Sequence, residues 1–574
     1  MIDLKKDKQQ ILEGVRQYRR DNNRRLSDFN EWYNHFRVKP PGSRKEVYSN
    51  TAIPEMLSEV QSVATSVYSM VFSDDTQAGA FRFSDVYDDL AGLAKNAEAV
   101  MVHQMDENEF KKKWLTFLRF LVLNGTQEVK VPWIFRKQNR YRRVGSRLEP
   151  MERVKMDSWD FQFLNIIRTV HDDYATEMDD AGWFGVGMGT TFYKARQQEK
   201  SGYWKNVNQA IEARKGGTKS ANEFVQQRRT MTGDSFKTTR SGELEGIEWL
   251  GTLDSREDTK LYRSVITEEG VFLREPEPNP YASQDSYFMK ANWIDFGDEW
   301  HGMGVGEINT PQLRETTERR NLSLDLLRAN LYNMWVKIRG SGIDDEDLEW
   351  SPNRVIESDM RTPLERLYPG VEAMIPAMRM EGISKEDMRR ASMAFSTLQA
   401  EPLDITARES QLVHNEGSRA IRVMCVANVT TFLRKLLYKV HDYNVDYLDT
   451  PQLVAITGDE DGAVKYKAIN RANLPRDLRI RIDVQPDAGS RAGAFKDMNE
   501  FLIAVGGLIQ NDPSLRLNTS NLIFQAAKLK NLDAHKLIQD MKVGQSMVDP
   551  GVQRMAMLQM AQEGRQRERE AKKK

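Results

Sequence analysis

Apolar residues along this chain recur at helical spacing in some stretches and at alternate positions in others, which divides it into predicted elements before any chemistry is considered. From Pro54, the residues Met56, Val60, Val63, Val67 and Val71 keep three- and four-residue spacing, the mark of a helix with one buried face. Asn50-Thr51 stands where a helix cap belongs. A second helix is expected over 107–123, through Trp114, Leu115, Phe117, Leu118, Phe120 and Leu121, closed by Asn124-Gly125. Glu128 to Phe135 then reads as a strand. Residues 5–30 are helix-forming but almost wholly polar. Arg16, Arg19, Arg20, Arg24 and Arg25 stand among few apolar positions (Ile11, Leu12, Val15, Tyr18), so this helix needs a partner surface.

Alternation typical of strands returns at 246–252, 260–266 and 270–274. Between these two regions, residues 200–240 carry little periodic apolar signal and read as an excursion or flexible insertion. From Glu307 the pattern becomes a long helix with Leu313, Leu324, Leu327 and Leu331 among many charges, a face suited to packing among copies of itself. A unit of about 50 residues follows: a strand at 335–339, the acidic run Asp344, Asp345, Glu346 and Asp347, and a Pro/Gly-punctuated stretch through Pro363, Pro369, Gly370 and Pro376. Ser384 is expected to cap a helix that runs to about Gln399 and is broken by Glu401-Pro402. Another long helix is expected at 406–446, then a hairpin at 453–457 and 464–469 and a strand at 478–484. Helices are predicted from 493 onward, fraying over the charged residues 562–574. The expected fold class is α+β, predominantly helical.

Composition narrows the chemistry. In 574 residues, 83 Lys+Arg face 84 Asp+Glu, a net charge of −1, so the chain is no strongly basic nucleic-acid clamp. With 40% hydrophobic residues it can bury substantial cores, and its length suggests roughly four compact units. The single cysteine, Cys425, excludes an intrachain disulfide and lies in the apolar run 423–427, as a buried filler would. No apolar run reaches the roughly 18 residues that would cross a bilayer, and MIDLKKDKQQ leads into no apolar signal segment, so a soluble protein made in the cytosol is expected.

No two of the seven histidines share a metal-ligand spacing on one helix face, and no Walker-type phosphate loop or G-x-S-x-G elbow occurs. Gly185, Gly187 and Gly189, like Gly302, Gly304 and Gly306, fall short of G-x-G-x-x-G and read as tight chain reversals. Acidic pairs at Asp88-Asp89 and Asp172-Asp173 read as solvated turns or helix starts. The basic stretch 136–143, with Tyr141 inside it, reads as an exposed hairpin tip that could also stack a base. No catalytic residue, metal or cofactor is expected.

Three places, taken in order, carry a resemblance: Asn50-Thr51 and Pro54 with their amphipathic helix; Tyr281 through 302–306 to Glu307, then Gln312, Glu315, Arg319, Arg320 and Asn321; and Thr406-Ala407-Arg408-Glu409 with the later Ala468-Ile469-Asn470, Leu474-Pro475 and the strand from Arg479. Together, over about 45–490, they resemble the portal proteins (head–tail connectors) of tailed bacteriophages, the short-tailed type in particular. The N-terminal helix, the 200–240 stretch and the last 80 or so residues have no counterpart in the resemblance.

The resemblance implies a subunit of wing, stem, clip and crown that assembles into a ring, typically of twelve copies in that family, around a channel for double-stranded DNA at one capsid vertex of the virion. Along this chain it implies an N-terminal charged helix on the wing periphery at 1–44, the wing at 45–305, a first stem helix at 306–335, the clip at 336–383 and a second stem helix at 384–398. A tunnel loop at 399–410, a wing return at 411–492 and the crown at 493–574 complete the order. Lys385, Arg389, Arg390, Gln399, Glu401 and Arg408 would face the DNA, with subunit–subunit salt bridges as the competing role. Asp344, Asp345, Glu346 and Asp347 would face partner proteins from the clip, or simply form a solvated turn. The partners implied are terminase, tail adaptor or connector proteins, capsid and scaffolding protein, with no membrane, and the packaging motor is the separate terminase ATPase. Two other readings stand beside it: a metal-dependent nucleic-acid enzyme built on the acidic clusters, and a structural or adaptor protein that forms no channel.

Overall fold

The computed structural model describes residues 4–40, 49–72, 81–85, 91–144, 147–216, 243–256, 258–331, 334–337, 364–367, 374–392, 421–457 and 464–482. The chain divides into two compact units, Met1–Val454 with Lys467–Gly493, and Ala455–Tyr466 with Ala494–Lys574; nearly all described residues belong to the first. Length suggested about four units. Contacts between distant segments explain the smaller number: Gln104 and Asn444 exchange side-chain hydrogen bonds, and the strand Phe81–Asp85 (β1) pairs with Leu478–Ile482.

The first unit is mixed α and β. Its N-terminus forms two helices, α1 (Leu4–Asp21) and α2 (Asn23–Phe36), where sequence suggested one. The partner surface that α1 required is an antiparallel sheet of β6 (Thr169–His171), β7 (Trp183–Thr191), β8 (Glu243–Gly251), β9 (Tyr262–Thr267) and β10 (Phe272–Pro278), hydrogen-bonded in that order. Ile11, Val15 and Tyr18 of α1 pack on Ile247, Trp249, Tyr262 and Ile266. Because strand side chains alternate between faces, Leu244 and Val265 point the other way, into a second cluster with Val207, Ala210 and Ile211. Those last three lie on α7 (Val207–Gly216), which follows α6 (Phe192–Lys200). The expected excursion at 200–240 therefore begins as a packed helix, and residues 217–242 lie outside the described residues.

Helix α3 (Glu55–Val71) buries Met56, Val60, Val63, Val67 and Val71 as its spacing predicts. Its N-cap is Pro54, without a side-chain cap bond. Thr51 is spent elsewhere: its backbone N–H and its hydroxyl both donate to Asn321 Oδ1, each at 2.8 Å. Sequence missed α4 (Ala91–Glu107), whose buried stripe of Ala94, Ala97, Met101 and Met105 is masked by apolar Leu93, Ala99 and Val102 on its other faces. After it, α5 (Phe110–Asn124) carries the aromatic core, with Trp114 stacked on Phe117 and Phe117 on Phe432 at ring separations of 4.9 and 5.1 Å. A three-stranded sheet, β11 (Phe288–Asn292), β2 (Thr126–Lys130) and β5 (Gln162–Phe163), follows from it. The basic stretch at 136–143 is no tip. It lies within a two-stranded ladder, β3 (Trp133–Val144) against β4 (Arg147–Trp159).

Both glycine groups differ from expectation in the same way. Gly185 and Gly187 sit inside strand β7, where a Cβ on Gly185 would meet Val170 Cγ2 at 2.9 Å. Gly302, Gly304 and Gly306 let one chain segment cross another: a Cβ at Gly304 would lie 2.3 Å from the Gly125 nitrogen. These glycines allow close approach of backbone rather than reversal.

Immediately after this crossing comes α8 (Val305–Leu331), then the paired strands β12 (Met334–Lys337) and β13 (Leu364–Leu367), then α9 (Met374–Ala391). The helix α9 starts ten residues before Ser384, which is an interior residue and not its cap. Pro376 does not prevent this, because the first-turn amides of a helix have no intrahelical acceptor to lose. A helix resumes at 421, widens into a π-type bulge at Cys425–Val429 and continues as α10 (Thr430–Tyr447). Asn428 in the bulge donates to the Trp293 carbonyl at 2.6 Å. Cys425 is buried, which pushes its thiol up to about 12, although Val423 and Val426 beside it are exposed. Strands β14 (Gln452–Thr457) and β15 (Val464–Ile469) pair, and β16 (Leu478–Ile482) alternates buried and exposed residues. The helices predicted from 493 onward lie outside the described residues. Among the described residues no helix is long and apolar enough to cross a membrane.

Candidate functional site

Helices α8 and α9 form an antiparallel arm: Asn309 Nδ2 donates to the Met388 carbonyl at 3.1 Å near one end, and Arg320 pairs with Glu381 further along. The arm is seated on α2 and α3 through polar groups. Arg25 of α2 reaches Glu307 at 3.2 Å, Arg314 holds Glu31, and Ser49 and Thr51 bind Asp325 and Asn321. At the centre of the seat Glu59 is fully buried, accepts from Asn309 Nδ2, and is pushed up to about 7 by burial and by the neighbouring Glu55. Arg389 Nε donates to Glu55 Oε1 at 2.6 Å. A buried ion pair of this kind costs desolvation and repays it only with good geometry, so it fixes where the arm joins the body.

Three of the six residues expected to face DNA are described. Lys385 Nζ lies 2.8 Å from Glu381 Oε1; burial acts to raise that carboxyl, but Lys385 and Arg320 outweigh it and hold Glu381 below the usual range. Arg389 is committed to Glu55 within the same chain. Arg390, on the outward side, makes an exposed contact with Glu386 one turn away at 3.3 Å, worth little energetically. Gln399, Glu401 and Arg408 lie outside the described residues, as do Asp344, Asp345, Glu346 and Asp347. Of the acidic pairs, Asp88-Asp89 also lies outside, whereas Asp172 accepts from the backbone amides of Tyr174 and Gly182.

The structure also brings together a polar cluster that sequence did not reveal. His171 and His301, 130 residues apart, approach to 3.5 Å between Nε2 atoms. His171 Nδ1 donates to the Asp172 carbonyl at 3.0 Å, and its ring stacks on Trp300 at 4.0 Å. Trp300 Nε1 donates to buried Glu128, and Lys290 Nζ donates to the Trp300 carbonyl at 2.9 Å. Burial is the largest influence on all four groups: it lowers His171 to about 3 and His301 well below its ordinary value, raises Glu128 and lowers Lys290. No spacing rule could have found a pair that meets only through tertiary packing. Among the described residues no group of three or more His, Cys, Asp or Glu could hold a metal ion.

Neutral His171 makes stability depend on pH. Its folded value lies below the unfolded value of about 6.5, so the native state binds fewer protons. The contribution is intact above pH 6.5 and is lost progressively from there down to about 3. Between pH 7.5 and 5 the wild type should lose about 2 kcal/mol more than His171→Asn, read from urea midpoints at the two values. Equal losses in the two proteins would refute a neutral buried His171.

A scan against protein-family models finds no match for this chain, and no curated protein matches it.

Proposed function

We propose that the chain is the subunit of a viral portal, a ring at one capsid vertex through which double-stranded DNA is packaged, retained and ejected. The observation that carries the reading is the arm. Two antiparallel helices leave a mixed α+β body at a glycine crossing, with a strand pair inserted between them, and the chain re-enters the body through α10 and β16. This is the order of wing, stem, clip, stem and wing that the sequence resembles. In this reading β12 and β13 belong to the clip, where terminase and then a tail adaptor dock, while capsid and scaffolding protein surround the ring. The subunit is not itself an enzyme and carries no cofactor.

A conduit must touch DNA without retaining it, since neutralising six to ten phosphates gives tight, salt-sensitive binding. A net charge of −1 is compatible with that need. With Lys385 and Arg389 engaged by the chain's own carboxylates, Arg390 is the described candidate that remains for the channel wall.

The test is the native mass of the purified protein by light scattering, with negative-stain images of the same fraction. A closed ring near twelve times 66.2 kDa, with a central hole, is the expected result. A filament, or a protein that stays monomeric at high concentration and with scaffolding protein added, would reject the reading.

A further inference from the structure

The seat of the arm is short of one donor at its buried centre. Glu59 of α3 and Asn309 of α8 are both buried. Asn309 Nδ2 spends both its protons, one on Glu59 Oε2 and one on the Met388 carbonyl of α9 at 3.1 Å. The other oxygen of each group is left over: Glu59 Oε1 and Asn309 Oδ1 are buried and have no hydrogen-bond partner. The Ser392 hydroxyl, just past α9, spends its proton on the Arg389 carbonyl at 3.2 Å. A buried acceptor without a donor forfeits its hydration. Here the two belong to one hydrogen-bonded pair, and one proton satisfies both. A carboxylic acid and a primary amide are complementary through two parallel bonds, N–H to oxygen and O–H to oxygen, and the first of these is in place.

We propose that Glu59 is a proton-operated latch at the root of the arm. With a proton on Oε1, a two-bond ring between Glu59 and Asn309 joins α3 to α8 and, through the Met388 carbonyl, to α9. When the proton leaves to solvent, one bond of the ring is lost and a buried negative charge stands beside Glu55, so the root opens more readily. The surroundings favour the neutral acid. Burial and Glu55, one turn earlier on α3, outweigh Asn309, Ser392 and Arg389. Helices α2 and α5 also pack on α3, but Arg25, Glu31 and His35 of the one and Lys113 and Arg119 of the other do not enter this balance. The latch goes beyond the portal reading and does not rest on it, since it requires the two-helix arm but neither a ring nor DNA.

Hydrogen exchange of the amides in 305–321 of the full-length protein, corrected for the intrinsic effect of pH on exchange, reads this opening. The closed root holds the carboxyl at about 7, whereas an opened one returns it to about 4.3. The folded value is the higher, so the latch contributes fully below about 4.3 and is lost as pH rises through about 7. Opening should therefore be about tenfold more frequent at pH 8 than at pH 6. Glu59→Gln keeps both bonds, because its amide donates to Asn309 Oδ1 in place of the acid, and it has no proton to lose. Its opening should be the same at both pH values and close to that of wild type at pH 6. Infrared difference spectra should show a protonated carboxyl in wild type at pH 6 that is gone at pH 8 and missing from the variant. Equal opening of wild type at the two pH values overturns the proposal, and this holds even if the variant does not fold. So does a variant that shows the wild-type pH dependence, or one that opens at pH 6 as often as wild type does at pH 8.

Discussion

Gly125→Ala is expected to destabilise the body of the protein by more than about 4 kcal/mol, the range reserved for a small set of severe mechanisms. Gly125 follows α5 with φ +80, and an added Cβ would lie 2.2 Å from the Gly302 carbonyl oxygen and 2.5 Å from the Gly304 nitrogen. Neither is the end of a flexible side chain. Both belong to the segment that leads into α8, and the Gly125 carbonyl accepts from Trp293 N–H at 2.7 Å, so the clash cannot be relieved without moving the root of the arm. Gly202 supplies the control. It has φ +74 but nothing within 4 Å of its would-be Cβ, so Gly202→Ala should cost only the left-handed backbone penalty of about 1–2 kcal/mol. Urea midpoints of the two variants separate conformational cost from collision. If both lose the same amount, the close crossing is not what selects glycine at 125.

Much of the fold was legible because it depends on local periodicity. The α3 stripe, strands β8 to β10, the pairing region near 452–469 and the alternation of β16 all follow from spacing that one face of an element must satisfy. What escaped depends on meetings between distant residues. Thr51 looks like a cap for α3 until Asn321 is brought beside it, and Ser384 looks like a helix start although ten helical residues precede it. Residues 302–306 look like a turn because sequence cannot show that Gly125 crosses them. The same limit applies to the arm. Its candidate charges Lys385, Arg389 and Arg390 read alike in sequence, but Glu55, 334 residues from Arg389, decides that one of them is held inside the chain.

Glu248→Gln should cost about 3–5 kcal/mol, the usual consequence of removing one partner from a buried ion network. Glu248 lies on the face of β8 opposite Ile247, where it meets Lys130 at 2.6 Å and Arg263 at 3.1 Å and accepts from the Tyr287 hydroxyl at 3.0 Å. All three ionic side chains are about 15% exposed. The amide keeps the volume but leaves two buried cations without a counter-charge, which is dearer than losing one hydrogen bond. Burial acts to raise the Glu248 carboxyl, and Lys130 and Arg263 outweigh it, holding it below the ordinary carboxylate range. The sign of the pH dependence follows: the folded value lies below the unfolded one, so the stabilisation is complete above the unfolded value of about 4.5 and is lost as pH falls through the folded value. The gap between wild type and variant should therefore be constant from pH 8 to about 5 and close below 4. A gap under 0.5 kcal/mol at pH 7, on the order of an ordinary surface substitution, would mean that water reaches Lys130 and Arg263 and that this face of the sheet is not sealed. A sealed network would tie β2, β8 and β9 into one rigid support beneath the arm, since β2 begins at the Gly125 crossing from which α8 departs.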